Sequence, residues 1–352
     1  MEKSQSTNLY TPSPHGGNRE GVVIKNTGSW YVVRTSDDDQ FSKHQEPMSS
    51  VDGPSSEEIR QSQLFSCKVK GNFRLRGIRS TNPVAVGDHV EFIASEDGTG
   101  LISEVKDRRN YIIRKASNLS KQSHILAANV DQVLLLVTIS HPETSTTFID
   151  RFLASAEAYR IPVILLFNKT DLYDATESHQ AKQLMTLYHS LGYECIACSV
   201  LKDEGLNSLQ SILKDKTTLL SGNSGVGKST LLNYLIPGLN VRTEEISEAH
   251  DTGQHTTTFS EMYDLPTGGS LIDTPGIKGF GTFDFEREEV SHYFREIFQI
   301  GQECRFDNCT HTHEPHCAVR TALEEGRIAP SRYTSYLSML EDKEEDRYRK
   351  AY

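Results

Sequence analysis

The sequence predicts three units in series: a small β-barrel, an α/β domain with a parallel sheet, and a short helical domain built around a metal site. Three observations predict it. Residues 21–94 alternate Val, Ile, Phe and Tyr with polar residues in short runs broken by Gly and Asn-Pro. From Val130 onward, unbroken apolar runs are separated by helical stretches, the pattern of a sheet covered on both faces. Within residues 304–317 three cysteines crowd around histidines. A chain of 352 residues has length for two or three domains at about 100–200 residues each.

Residues 1–19 are rich in Ser, Thr, Asn, Pro and Gly and read as a disordered tail. They contain no apolar core of a secretory signal, and nowhere does an apolar run approach the roughly 20 residues needed to span a bilayer. The expectation is a cytoplasmic protein with no membrane partner. GVVIKNTGSWYVVRT, FSCKVKGNFRL and GDHVEFIA are the strands of a barrel of the OB type over residues 20–113. An insertion at 36–60 carries seven acids against Lys43 and Arg60, net −5, and reads as a solvated loop. The whole chain has a formal charge of −11, which excludes indiscriminate coating of nucleic acid, yet residues 67–115 sum to +4. With Phe73 nearby, that basic stretch suits backbone and stacking contacts to structured RNA.

The α/β domain is read over 114–285. VDQVLLLVTIS is its first strand, a helix follows at 147–159, and VILLF is the second strand. The remaining residues, 286–352, form the helical metal domain, whose last stretch LEDKEEDRYRKAY is strongly charged.

Three motifs carry the chemistry. GNSGVGKS, from Gly222 to Ser229, fits G-x-x-x-x-G-K-S between a strand and an amphipathic helix. Backbone N–H groups of Gly222, Asn223, Ser224, Gly225, Val226, Gly227 and Thr230 can surround phosphate oxygens, Lys228 can reach the β- and γ-phosphates, and Ser229 can ligate Mg²⁺. NKTD closes the VILLF strand. The Asp171 carboxylate can accept guanine N1–H and N2–H, Lys169 can lay its stem along the base, and Asn168 completes the turn. Thirty residues on, Ser199 and Val200 stand where a backbone N–H would meet guanine O6. The third motif is SLIDTPG, where Asp273 can hold Mg²⁺ through water and the Gly276 N–H can meet the γ-phosphate. Between the second and third motifs lies GQHTTT. A threonine among Thr256, Thr257 and Thr258, represented by the central Thr257, can close over Mg²⁺, and His255 is the candidate to orient the attacking water. Ile277 occupies the place where Ras-like enzymes carry a water-positioning Gln, so any intrinsic hydrolysis should be slow.

The motif order is unusual: the base-reading NKTD precedes the phosphate loop. The sheet survives such a cut if the original termini were adjacent. The segment after Gly276 then runs into the C-terminal domain, so loop ordering by GTP could reorient that domain. From Gly21 onward, in order, the barrel, NKTD, GNSGVGKS, GQHTTT, DTPG and the cysteine cluster resemble the circularly permuted GTPases of ribosome assembly, in particular those of the small subunit. The resemblance implies a GTP phosphohydrolase stimulated by the small subunit, acting late in its maturation as checkpoint or release factor. Its implied partners are GTP, GDP and 16S-type rRNA, with Mg²⁺ accompanying the nucleotide, and the protein is expected to be a monomer. Runner-up readings are a permuted GTPase of the large subunit and an RNA-binding adaptor that only holds nucleotide.

CRFDNCTHTHEPHC has the spacing C-x4-C-x-H-x5-C, and three thiolates with one imidazole would close a structural Zn²⁺ site. Cys304, Cys309 and Cys317 supply the thiolates. Spacing alone leaves His311, His313 and His316 in competition; the resemblance implies His311. Cys67, Cys195 and Cys198 lie in strand-like segments and read as buried apolar fillers.

Overall fold

The structure is a computed structural model. It describes residues 17–35, 63–70, 83–115, 123–241, 260–274 and 286–350, with backbone alone at 114–115, 123–124 and 342–350. The acidic insertion at 36–60 lies outside these residues.

Five strands close the barrel: β1 (Asn18–Asn26), β2 (Tyr31–Thr35), β3 (Leu64–Val69), β4 (His89–Ala94) and β5 (Thr99–Val105). Their order is β1-β2-β3-β5-β4, and β4 returns to pair with β1, so no edge is left within the circuit. β1 begins at Asn18, two residues inside the segment expected as tail. Its register against β2 shifts between Val23 and Lys25, a bend that suits one strand pairing with β2, β4 and a third strand of the next domain. Alternate residues face inward, and Val23, Val33, Phe65, Cys67, Phe92 and Ile102 fill the barrel.

A hairpin of β6 (Tyr111–Lys115) and β7 (Ser123–Ala128) leads to the α/β domain. There β8 (Gln132–Val137), α1 (Thr146–Ala158), β9 (Val163–Phe167), α2 (Ala175–Ser190), β10 (Glu194–Ala197), α3 (Leu209–Leu213), β11 (Thr217–Gly222), α4 (Lys228–Leu235), β12 (Glu261–Asp264) and β13 (Ser270–Asp273) follow in turn. The sheet order is β10-β9-β8-β11-β13-β12, parallel except for β12. Every residue of β8 and β9 is buried, as expected for strands covered on both faces. β11, which ends in the phosphate loop, lies in the middle, between β8 and β13. One face packs Leu134, Leu136, Leu166, Leu220 and Leu231 beneath α3 and α4.

The opposite face packs Leu135, Leu165, Phe152 and Leu153 in one core with Phe294, Ile297, Val319, Tyr336 and Met339 of the C-terminal domain. That domain consists of a 3₁₀ turn at Arg287–Tyr293 followed by α5 (Arg295–Gly301), α6 (Ala318–Glu324) and α7 (Pro330–Lys350). It shares its core with α1, so a reorientation of this domain by loop ordering would have to carry α1 along or repack that core. Among the described residues no helix is long and apolar enough to cross a membrane.

Candidate functional site

The phosphate loop begins where β11 runs out. Gly222 and Gly227 adopt φ of 144° and 102°, backbone that side chains rarely follow. A Cβ at Gly227 would stand 2.4 Å from Asn168 Nδ2. The bare backbone there lets the NKTD turn close on the phosphate loop. Val226 is fully buried and pins the loop to the core. Lys228 opens α4, and its ammonium donates to the carbonyls of Gly222 at 2.9 Å and Asn223 at 2.7 Å. Burial pulls its pKa down to about 8, against the opposing pull of Asp273.

The NKTD turn leaves β9 through Lys169, held at φ 64°, and α2 starts directly afterwards. The Asp174 side chain and Glu177 form a reciprocal cap there, so the turn is clamped between strand and helix. Asn168 is buried; its Nδ2 donates to Val226 O at 2.9 Å and its Oδ1 accepts from Val200 N–H at 3.3 Å. Its side chain thus ties three loops together. Asp171 is exposed, and one of its oxygens accepts from the Ser199 hydroxyl at 2.5 Å. Ser199 does not offer its N–H to a ligand, because that group donates to Glu204 O at 3.0 Å. Its contribution is the hydroxyl that orients Asp171. The Lys169 ammonium donates to His141 O, and burial lowers its pKa while Asp171 opposes the shift.

Asp273 closes β13 and is buried beside the phosphate loop, with Thr274 donating to Leu220 O at 3.2 Å. Half-buried Ser229 and the Asp273 carboxylate present the hard oxygen donors Mg²⁺ prefers. His255, Thr257, Gly276 and Ile277 lie outside the described residues.

On the barrel the basic excess is partly neutralised. Arg108, 6% exposed, pairs through two nitrogens with the fully buried Asp88, Lys106 bridges Glu20 and Glu91, and Arg109 meets Asp131 at 2.7 Å. Exposed Lys68 lies 4.4 Å over the Trp30 ring. Phe73, Arg74, Arg76 and Arg79 fall outside the described residues.

The ligand atoms of Cys304, Cys309, His311 and Cys317 all lie within 4.8 Å of one another. Sulfur-to-Nδ1 separations of 3.6 and 3.5 Å and a Cys304–Cys317 sulfur separation of 3.9 Å match the edges of a tetrahedron built on Zn–S and Zn–N bonds of about 2.3 and 2.0–2.1 Å. The geometry selects His311 over His313 and His316. Burial lowers the His311 pKa, favouring the neutral imidazole a metal requires. A Cβ at Gly301 would press 3.2 Å against that ring, so glycine makes room for it. Tyr333 and Tyr336 donate to the carbonyls of His311 and Thr310 at 2.6 and 2.7 Å. Cys67, Cys195 and Cys198 stand apart from the cluster, their thiols pushed up to about 12 by burial.

A phosphate loop, an NKTD turn and an Asp-ended strand, gathered on one sheet in reversed chain order, define a circularly permuted GTP-binding domain. A family model described as RsgA GTPase matches residues 105–283, and one described as RsgA N-terminal domain matches residues 59–102. The chain is 60% identical over 333 residues to the small ribosomal subunit biogenesis GTPase RsgA of Bacteroides fragilis, covering 95% of this chain and 100% of that one. Identity to the protein of the same name from Porphyromonas gingivalis is 55% over 338 residues, with the same coverage. The crystal structure of YjeQ from Thermotoga maritima superposes with a TM-score of 0.68 at 34% identity, covering 93% of this chain and 98% of that one. That of YloQ, a circularly permuted GTPase, gives 0.62 at 27% identity, covering 96% and 99%. The chain belongs to the RsgA GTPase family and is a GTPase.

Proposed function

We propose that this GTPase serves the biogenesis of the small ribosomal subunit, hydrolysing GTP to GDP late in maturation as a checkpoint or release factor. The 2.9 Å bond from Asn168 to Val226 carries the reading, because it brings base-reading turn and phosphate loop into one pocket. The names of the 55–60% identical relatives support the subunit assignment.

In this pocket Asp171, oriented by Ser199, accepts guanine N1–H and N2–H, and Lys169 lies along the base. Val200 N–H is the donor nearest O6. N–H groups from Gly222 to Thr230 hold the phosphates, and Lys228 draws charge off the β- and γ-phosphates. Ser229, Asp273 and Thr257 are the residues to hold Mg²⁺, which would neutralise developing phosphate charge. Gly276 senses the γ-phosphate and His255 orients water. Cys304, Cys309, His311 and Cys317 hold one structural Zn²⁺. The barrel meets 16S-type rRNA through Lys68, Lys70 and the basic residues at 74–79, and the protein works as a cytoplasmic monomer.

The deciding assay is GTP turnover by the full chain alone, with purified small subunits, and with large subunits. Stimulation by small subunits only is expected. Stimulation by large subunits only would reassign the target, and tight GTP binding without turnover in any arm would make the protein a nucleotide-holding adaptor. Nucleotide affinity should weaken as pH rises through about 8, where Lys228 loses its proton.

A further inference from the structure

Tyr173 stands just beyond the NKTD turn. Its hydroxyl donates to Asn168 O at 2.7 Å and accepts from Ile139 N–H at 3.0 Å. It thereby joins the base-reading turn to residues 138–145, the loop between β8 and α1. That loop is tied to itself: Thr138 Oγ1 donates to Pro142 O at 2.5 Å, and Thr138 N–H donates to Thr144 Oγ1 at 3.1 Å. From it two contacts reach the nucleotide pocket. His141 O accepts from Lys169, and Pro142 faces the phosphate loop so closely that a Cβ at Gly225 would lie 3.3 Å from its Cδ.

We infer that Tyr173 is a positioning residue: through the 138–145 loop it fixes the base-reading turn against the phosphate loop, and so sets guanine-nucleotide retention and base selectivity. The hydroxyl is the only part of the side chain that makes both bonds, and phenylalanine would keep the ring while losing them. Burial pushes the Tyr173 pKa up to about 12, so the donor persists across the working pH range. With the brace lost, the Asn168 amide stays tied to Val226, but the Asn168 carbonyl and the turn that follows through Lys169 loosen, and Asp171 no longer meets both guanine donors at once. This inference rests on the reading of Asp171 as the base reader.

The test measures release of fluorescent GDP, and the affinity ratio of GDP to inosine diphosphate, in the full-length protein. Inosine lacks the 2-amino donor, so the ratio reports how well Asp171 is aimed. Tyr173→Phe should speed GDP release about tenfold, the worth of roughly one hydrogen bond, shrink the GDP preference, and raise KM for GTP more than it lowers kcat. A merely structural role would lower the melting temperature without moving the ratio, and that result overturns the inference. Thr138→Val, which removes the hydroxyl bond to Pro142 O with little change in volume while the backbone bonds to Thr144 remain, should act in the same direction, with Thr138→Ser restoring the native ratio. The double variant Tyr173→Phe/Thr138→Val should add little to the larger single effect, because both break one brace. If Tyr173→Phe does not fold, Thr138→Val decides alone: an unchanged ratio overturns the inference. Asp171→Asn separates the two readings, because it should shift preference towards xanthosine nucleotides. If it does not, the base reading fails; if it does while Tyr173→Phe and Thr138→Val leave release and ratio unchanged, only the positioning role fails.

Discussion

The two flanking domains are joined to the α/β domain in opposite ways. The barrel meets the α/β sheet through one strand pairing, β1 with β12, registered at Lys25 and Glu261, with Asn26 N–H donating to Ser260 O at 3.3 Å, while Ala85 and Val86 join the margin of the α/β core and Val86 O accepts from Ala128 N–H at 2.9 Å. Two ion pairs flank it, Lys25–Glu261 at 2.9 Å, with side chains 39% and 30% exposed, and Arg34–Asp264. The C-terminal domain shares that core far more broadly, with Phe294, Ile297, Val319, Tyr336 and Met339 packed with α1 and α2, and adds a buried ionic network. Arg332 donates to Asp150 at 2.9 Å and to Glu296 at 2.6 and 3.0 Å, while Tyr188 and Ser335 also donate to Asp150. Burial works against the Arg332 charge, but Asp150 and Glu296 outweigh it and keep the guanidinium protonated. The difference teaches which joint can yield. Beyond the small Ala85–Val86 contact the barrel is held by β12, the strand that follows residues 242–259 with their GQHTTT motif, whereas the C-terminal domain is fastened to α1 through both core and ion pairs.

The strongest way to break the comparison is to remove the metal ligation. Chelation, or Cys317→Ser, should abolish order around residues 304–317, since structural Zn²⁺ in small peptides contributes about 10–16 kcal/mol of apparent binding energy. Circular dichroism should report lost helix while GDP binding persists; full helicity after chelation would count against a structural site. Next comes Arg332→Met, which strands Asp150 and Glu296 without their partner and should cost about 3–5 kcal/mol in denaturant unfolding. The triple variant Asp150→Asn/Glu296→Gln/Arg332→Met should recover part of that loss, because no uncompensated charge then stays buried. A cost below about 1 kcal/mol for Arg332→Met would mean that the apolar core alone fastens this domain.

What could be read from the sequence followed the range over which each interaction is encoded. GNSGVGKS and NKTD were legible because residue type at fixed spacing is itself the chemistry, and apolar runs such as VLLLV already imply a strand covered on both faces. The cysteine spacing indicated a metal centre but left three histidines open; the family resemblance pointed to His311, and the folded distances agree with it. Pairings remote in sequence left no local trace. Asp150 and Arg332 are 182 residues apart, and nothing in either neighbourhood announces the other. The charge sum over 67–115 does not show that Arg108 pairs with buried Asp88, nor does the sequence show that Ser199 gives its N–H to Glu204 and its hydroxyl to Asp171. Tyr173 was missed because no pattern marks the residue that braces a motif from outside it.

The smallest expected effect tests the yielding joint. Lys25 and Glu261 meet across the β1–β12 pairing in contact with solvent, where an ion pair gains little and salt screens what remains. A double-mutant cycle with Lys25→Ala and Glu261→Ala should give a coupling of about 0.2–1 kcal/mol at low salt, fading towards zero in about 1 M salt. Because β12 also pairs with β13, which ends at Asp273 beside the phosphate loop, the same variants should loosen the barrel without disturbing the core beneath α1. Hydrogen exchange should therefore quicken in β1 and β12 while the amides of α1 and α7 stay protected. Equal loss of protection in α7 would show that both joints belong to one cooperative unit, and the contrast between them would then lie in their chemistry alone and not in their mobility.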